Sequence, residues 1–180
     1  NVTPDSFSDG GLWFSAESAI ERGLELHKSG ADLVDVGGES TRPGAERIPV
    51  DEEIKRVVPV VRALVDAGVH VSIDTMRADV ASRCVDEGAC LVNDVSGGQA
   101  DSQMLSWLAG QSVPYVAMHW RGPSRIMNDL AVYDDVVADV CAELQSRLTA
   151  CESAGVDLSR VVVDPGLGFR SEEHTSELQS

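Results

Sequence analysis

Polar side chains that can do chemistry stand at the ends of short apolar runs along this sequence. Asp74 ends the run VSID, Asn93 follows LV, and Asp164 ends VVVD. A carboxylate accepts hydrogen bonds and an Asn amide both donates and accepts them, which suits recognition of a small polar ligand. The same residues also have structural uses: Asp74 as a helix cap, Asn93 in a turn and Asp164 in the DPG turn. No Ser/His/Asp triad is evident in the sequence.

The elements that must position these residues alternate regularly along the chain. Runs rich in Val, Ile and Leu follow amphipathic stretches that we predict to be helices, at about residues 15–29, 51–67, 77–87, 101–109 and 132–154. This order is typical of an α/β protein. The runs end in ST, DT, NDVSGG, MHW and DPG. Polar groups at the carboxyl ends of successive strands favour a parallel (β/α)8 TIM barrel, and a doubly wound open sheet is the alternative.

Length and charge limit the classes of partner. The chain has 180 residues, with 14 Lys and Arg against 30 Asp and Glu, a net charge of −16. Because no basic stripe is present, we do not expect nucleic acid as a partner. No apolar run approaches the roughly 20 residues of a membrane span, so no membrane partner is expected either. The four cysteines form no CxxC pair and predict buried thiols in a reducing cytoplasm: Cys84, Cys90, Cys141 and Cys151.

The number of repeats predicts a partial barrel. We count about five strands, whereas a complete barrel has eight and takes about 250 residues. We therefore expect one partial barrel domain over residues 1–169, with the opening strand and the last two repeats absent. The segment 170–180, RSEEHTSELQS, resembles the translation of a sequencing-library adapter and is expected not to belong to the natural protein. Open sheet edges in such a chain predict low stability.

Six motifs in this order resemble the dihydropteroate synthase family, over residues 1–169. They are NVTPDSFSDGG at the start, VDVGGESTRPGA from Val34, VSIDTMRADVA from Val71, LVNDVSGG from Leu91, MHW at Met118 and VDPGLGF from Val163. The first two discriminate best. The resemblance implies a (β/α)8 barrel enzyme of folate biosynthesis, a cytoplasmic transferase and sulfonamide target that forms a homodimer when full length. It implies condensation of 6-hydroxymethyl-7,8-dihydropterin pyrophosphate with p-aminobenzoate to give 7,8-dihydropteroate and pyrophosphate.

The resemblance also assigns pterin-binding residues. The family positions that read the pterin correspond to Asp74, Asn93, Met118 and Asp164. Asp74 and Asp164 are then catalytic as well, since carboxylates can stabilise a pterin-methylene cation left by early departure of pyrophosphate. Asp35 is expected either to support this site or to serve as a structural carboxylate. His119 is left out of the catalytic set.

The remaining assignments concern the two anionic groups of the substrates, the pyrophosphate and p-aminobenzoate. The resemblance implies that Asn1 and Arg42 bind the pyrophosphate, that Arg42 is catalytic, and that Asn1 is a ligand of Mg²⁺, which prefers oxygen donors. The p-aminobenzoate pocket corresponds to Phe7, Thr41 and Pro43, on two Gly-rich loops. The family's lysine, serine, arginine and histidine of later segments have no counterpart here, so we expect the chain alone to be inactive.

Two alternatives stay open. A corrinoid-linked methyltetrahydrofolate methyltransferase has a similar pterin-binding barrel and predicts methyl transfer without pyrophosphate. The loops NVTPDSFSDGG and GGESTRPG argue against it, because they suit an anion and p-aminobenzoate. The other alternative is a pterin-binding module without catalysis.

Overall fold

The computed structural model describes residues 1–2, 16–39, 47–122 and 133–167. The helices in these ranges are α1 (Ala16–Lys28), α2 (Val50–Asp66), α3 (Ala78–Asp86), α4 (Met104–Ala109) and α5 (Val136–Ala154). The strands are β1 (Val34–Gly37), β2 (Val71–Asp74), β3 (Leu91–Asp94), β4 (Tyr115–Met118) and β5 (Val161–Asp164), with a 3₁₀ turn at Leu158–Arg160 before β5. The predicted tail, 170–180, lies outside the described residues.

The five described strands form one parallel sheet in the order β1-β2-β3-β4-β5. Spatial order equals chain order, and a helix follows each of β1 to β4. A doubly wound sheet reverses its strand order at a switch point, whereas a (β/α)8 barrel does not. The α/β prediction is confirmed, and the five strands fit part of a (β/α)8 barrel.

The two faces of the sheet differ because successive strand residues point to opposite sides. The outer face carries Val36, Ile73, Val92 and Tyr115, which are buried against the helices in the hydrophobic core. The helices contribute apolar residues such as Leu64 to the same core. The opposite side, here called the inner face, carries polar residues at the carboxyl ends of the strands. The core therefore fixes the backbone that carries the polar strand ends on the inner face.

Helix boundaries follow the local hydrogen bonds at each end. The helix predicted from residue 132 begins at Val136, because the Asp135 carboxylate caps it by accepting hydrogen bonds from two backbone N–H groups. The helix predicted from residue 101 begins at Met104. Gly155 ends α5 in the left-handed conformation, with φ of 89°, which only glycine adopts at no steric cost. None of the helices in the described ranges is both long and apolar enough to cross a bilayer.

The cysteine prediction is wrong for two of the four residues. Cys84 and Cys151 are buried, as expected, but Cys90 and Cys141 are exposed. Cys90 precedes β3, and its thiol contacts the Val71 carbonyl at 3.4 Å rather than the core. Cys141 lies in the N-terminal half of α5, whose first turn is also exposed. A position within a helix or next to a strand therefore does not by itself indicate that a cysteine is buried.

Candidate functional site

The predicted pterin-binding residues meet at the carboxyl end of the sheet. Asp74 pairs with Asn93 in the register of β2 and β3, and Met118 pairs with Asp164 in that of β4 and β5. Asn93 also pairs with Val116, which is two residues before Met118. Because paired residues of parallel strands share a face and i, i+2 residues do too, all four side chains lie on the inner face. The structure thus places them together.

Asp74 does not cap α3, the helix that follows it. The capping position of α3 is Arg77, which forms no side-chain cap, and the first helical N–H, of Ala78, donates to Asp101 at 2.9 Å. Burial, together with the negative charges of Asp35 and Asp94, raises the pKa of Asp74 to about 8. A ligand that is cationic or rich in N–H groups would favour the ionised form of the Asp74 carboxyl, which then accepts hydrogen bonds from that ligand.

Asn93 is held by a carboxylate from a strand two places away. Its amide nitrogen donates to Asp35 Oδ2 at 3.0 Å, and the Ser72 hydroxyl donates to Asp35 Oδ1 at 2.5 Å. The three residues lie on β1, β2 and β3 and share the inner face. Ser72 was not a sequence candidate, although its position two residues before Asp74 places it on the same side.

The turn after β3 is held by Asp94 and not by Asn93, for which the sequence had left a structural role in a turn as the alternative. The Asp94 carboxylate accepts hydrogen bonds from the Ser96 N–H at 2.8 Å and hydroxyl at 2.6 Å, and from the Gly98 N–H at 2.8 Å. The Tyr115 hydroxyl also donates to it, at 2.9 Å. Burial raises the pKa of Asp94 despite these donors. Asn93 and Asp94 face opposite sides, so the turn leaves the Asn93 amide available to the site.

Asp164 and Met118 close the other side of the site. One oxygen of Asp164 accepts a hydrogen bond from the Gly166 N–H at 2.7 Å, so the structural use in the DPG turn is real. The turn passes over Met118: a Cβ at Gly166 would lie 3.4 Å from Met118 Cγ. Met118 is 3% exposed. Met118 thus lies directly beneath the turn that Asp164 holds.

Asn1 lies beside Asp74 at the start of the chain. The Val2 N–H donates to the Gly37 carbonyl at 2.7 Å, which sets residues 1–2 against β1. A Cβ at Gly37 would come within 2.8 Å of Asn1 Oδ1 and 3.1 Å of Asp74 Oδ2. Because position 37 is glycine, the side-chain oxygens of Asn1 and Asp74 can both approach the space where a Cβ would lie. In the described part of the chain no three His, Cys, Asp or Glu side chains are grouped to hold a metal ion.

A buried ionic cluster, here called the Glu53 cluster, lies next to Asp74 and was missed by sequence reasoning. Glu53 is 1% exposed, and it accepts hydrogen bonds from the Thr75 hydroxyl at 2.7 Å and from Arg77 at 2.5 Å. Arg77 also pairs with Glu39 at 2.9 Å and donates to the Ile48 carbonyl at 2.6 Å. The cluster therefore ties both flanks of segment 40–46 to the end of β2. The signal in the sequence was the acidic Glu53 among the apolar positions of the buried face of α2.

The other predicted site residues cannot be placed in this geometry. Phe7, Thr41, Arg42 and Pro43 lie outside the described residues. Their predicted roles stay predictions.

His119 occupies a separate cleft between the end of β4 and α5. Its ring nitrogen lies 2.7 Å from Glu143, which also pairs with Arg121 at 2.6 Å. The cleft has a volume of about 210 Å³ and is lined also by Gln99, Trp120, Ser146 and Arg147. His119 is buried beside the Glu143 carboxylate rather than on the inner face.

Comparison with known proteins gives consistent similarities. The family model for pterin binding enzymes matches residues 1–180. The chain is 49% identical over 170 residues to a dihydropteroate synthase of Mycobacterium leprae (strain TN), covering 94% of this chain and 60% of that protein. It resembles the Xanthomonas albilineans dihydropteroate synthase with 4-aminobenzoic acid, with a TM-score of 0.86, 44% identity, and coverage of 99% of this chain and 63% of that one. The complex of that enzyme with 7,8-dihydropteroate matches with a TM-score of 0.79, 42% identity and coverage of 94% and 59%. The chain thus spans about three fifths of these relatives.

Proposed function

The chain belongs to the pterin-binding enzyme family, and from that premise we propose that the protein carrying it is a dihydropteroate synthase. The reaction joins 6-hydroxymethyl-7,8-dihydropterin pyrophosphate to p-aminobenzoate and releases pyrophosphate. The observation that carries the proposal is the convergence of Asp74, Asn93, Met118 and Asp164 on the inner face. Relatives named dihydropteroate synthase, with 4-aminobenzoic acid or 7,8-dihydropteroate in solved structures, support it.

The inner face offers the groups that a pterin ring requires. The ring edge carries amino and ring N–H donors beside unprotonated nitrogens, so it is read by acceptors together with a side chain of mixed character. Asp74 and Asp164 supply carboxylate acceptors, and Asn93 supplies the mixed amide. Met118 supplies a polarisable apolar surface for the flat face of the ring. One pocket thus satisfies both the polar edge and the apolar face of the substrate.

The chemical step demands little from a general base. The arylamine of p-aminobenzoate is neutral at physiological pH, so its lone pair can form the new C–N bond without prior proton removal. The bond between the pterin methylene and the pyrophosphate oxygen breaks with its electron pair on the pyrophosphate, and the arylammonium then loses a proton to water. Asp74 and Asp164 stabilise the positive charge that develops on the pterin methylene.

The leaving group needs positive charge, because the net charge of the chain is −16 and its field opposes a phosphate. We propose that Arg42 and Asn1 bind the pyrophosphate and that Asn1 Oδ1 is one of the ligands of Mg²⁺. Its position beside Asp74 against Gly37 fits a hard cation that takes oxygen donors and keeps several waters. Mg²⁺, when bound, neutralises charge on the departing pyrophosphate.

The p-aminobenzoate end is assigned to Phe7, Thr41 and Pro43. The Glu53 cluster supports this assignment, because Arg77 holds Glu39 and Ile48, which flank the segment that carries Thr41 and Pro43. We propose that sulfonamides compete for this pocket, since they are arylamines with an acidic group opposite the amine. The cytoplasmic location and the homodimer of the full-length protein stay predictions.

The test is a condensation assay on the complete gene product. The open reading frame that contains this sequence is expressed in full, beside the 180-residue chain, and both are assayed for 7,8-dihydropteroate with and without Mg²⁺. We expect product from the complete protein and loss of product on removal of Mg²⁺. Pterin binding without product would favour the non-catalytic module, and methyl transfer from methyltetrahydrofolate would favour the methyltransferase.

A further inference from the structure

We infer that Asp35 is a positioning residue, which fixes the Asn93 side chain so that its carbonyl oxygen is the group offered to the ligand. The inference rests on the proposed function, because it concerns the same pterin pocket. It assigns Asp35 a task in ligand recognition that acts through Asn93 rather than through contact with the reacting atoms.

The first support is geometric. The Asp35 carboxylate bridges two strands, since one oxygen accepts from Ser72 on β2 and the other from Asn93 on β3. Asp35 and Ser72 pair directly in the register of β1 and β2. A carboxylate held at both oxygens has little freedom to rotate, so the group that it holds is also fixed.

The second support is chemical. A carboxylate offers acceptors only, so the Asn93 group that faces it at 3.0 Å must be the NH₂ and not the carbonyl oxygen. An amide turned the other way would place two oxygens against each other. No residue in the described ranges donates a hydrogen bond to the side-chain oxygen of Asn93, Oδ1. That oxygen is therefore left for a ligand N–H, and the second Nδ2 hydrogen is left for a ligand acceptor.

The consequence is that Asp35 determines the order of donor and acceptor that Asn93 presents. A ring edge with the complementary order binds well. The reverse order would leave Asn93 unpaired or require its amide to rotate away from Asp35. Without Asp35 the amide can adopt both orientations, and the binding site loses its preorganisation.

A double-mutant cycle tests this role in the complete gene product, with 6-hydroxymethylpterin as the probe. The cycle compares Asp35→Ala, Asn93→Ala and the double variant by calorimetric titration. We expect Asp35→Ala to raise Kd about tenfold, within the range of coupling between residues in contact. If Asp35 acts through Asn93, the double variant binds no more weakly than Asn93→Ala alone. Fully multiplied losses in the double variant, or an unchanged Kd in Asp35→Ala, overturn the inference.

Two further variants separate positioning from a merely structural role. Asp35→Asn can still accept from Asn93 and can donate to the Ser72 hydroxyl, so it should restore binding to within about threefold of the parent. Met118→Ala serves as the control partner, because Met118 has no hydrogen bond with Asp35, and the losses of Asp35→Ala and Met118→Ala should multiply. Failure of Asp35→Asn to restore binding contradicts the proposed geometry.

A measurement on the parent protein avoids any dependence on folding of the Asp35 variants. NMR of the Asn93 side-chain amide, assigned with Asn93→Ala, should show one deshielded proton protected from exchange with water. An amide whose two protons exchange freely overturns the inference. Because every readout is binding or NMR of the site, failure of the condensation assay alone counts against the proposed function and leaves this inference standing.

Discussion

Replacing Arg77 by Met is expected to destabilise the fold strongly, and the reason lies in the Glu53 cluster. The change removes the cation that lies 2.5 Å from Glu53 and 2.9 Å from Glu39 but retains most of the aliphatic stem. Glu53 is 1% exposed and the Arg77 side chain 13%. A buried charge left without its partner cannot recover its lost hydration, and breaking such pairs costs about 3–5 kcal/mol. We expect a loss in this range in the free energy of unfolding.

The control is a second Arg–Glu pair with similar geometry and different burial. Arg62 donates to Glu87 at 2.7 and 2.5 Å, yet the Arg62 side chain is 59% exposed. Water screens this pair and rehydrates Glu87 when the guanidinium is removed. Arg62→Met should therefore lose far less stability than Arg77→Met, although both remove two contacts with carboxylate oxygens. Arg77→Met also removes the hydrogen bond to the Ile48 carbonyl.

The loss should also depend on pH. Burial raises the pKa of Glu53, and Arg77 is one of the groups that oppose this rise. In Arg77→Met the pKa therefore rises further, and the folded protein binds a proton more tightly than the unfolded chain does. Stability contributed by a neutral Glu53 is then present in acid and lost as the pH rises through the folded-state pKa. The loss caused by Arg77→Met should be smaller at pH 5 than at pH 8.

Urea unfolding of the complete gene product, followed by circular dichroism at both pH values, measures these differences. Equal losses in Arg77→Met and Arg62→Met would refute the argument from burial. A loss in Arg77→Met that is the same at pH 5 and pH 8 would show that the uncompensated carboxylate is not its cause.

Four other expectations follow from the site and its surroundings. Because the pKa of Asp74 is raised to about 8, the stability it contributes is present in acid and lost as the pH rises through 8; Asp74→Asn should raise Tm more at pH 9 than at pH 6. The same variant should weaken pterin binding much more than p-aminobenzoate binding, and equal losses in calorimetry would count against the pterin assignment. Gly38→Ala should cost about 1–3 kcal/mol in urea unfolding, since its Cβ would lie 2.7 Å from Glu53 Cγ, whereas Gly110→Ala meets no atom closer than 3.6 Å and should cost little. A thiol reagent should modify the two exposed cysteines in the native protein. The buried Cys84 and Cys151 should react only after unfolding, and burial raises the pKa of Cys84 to about 12. Four fast-reacting thiols would contradict the core packing.

The strands could be predicted because each lies in an apolar run that leads into polar residues at or just after its end. All five described strands lie within the runs read from the sequence. The start of α4 was predicted less accurately than the strands. The Asp101 carboxylate accepts hydrogen bonds from the backbone N–H of Gln103 and from that of Ala78 in the neighbouring helix. That second contact depends on how helices pack, which local sequence does not encode. The start of α5 was readable in principle, since Asp135 is a typical capping residue.

The site was predictable where it depends on strand ends and not where it depends on pairing across strands. Asp74 and Asp164 could be grouped because the carboxyl ends of parallel strands meet at one edge. The bond between Asp35 and Asn93 joins residues 58 positions apart and exists only in the observed register. The burial of Glu53 likewise depends on docking of α2 against β2. Neither contact leaves a periodic pattern in the sequence.

We propose the inner face at the ends of β2 to β5 as the pterin pocket, and the decisive measurement is a crystal structure of the complete gene product with 6-hydroxymethylpterin. We expect the ring edge within hydrogen-bonding distance of Asp74, Asn93 and Asp164, with its face against Met118. A ring bound instead in the cleft between β4 and α5, beside Glu143, would contradict the account.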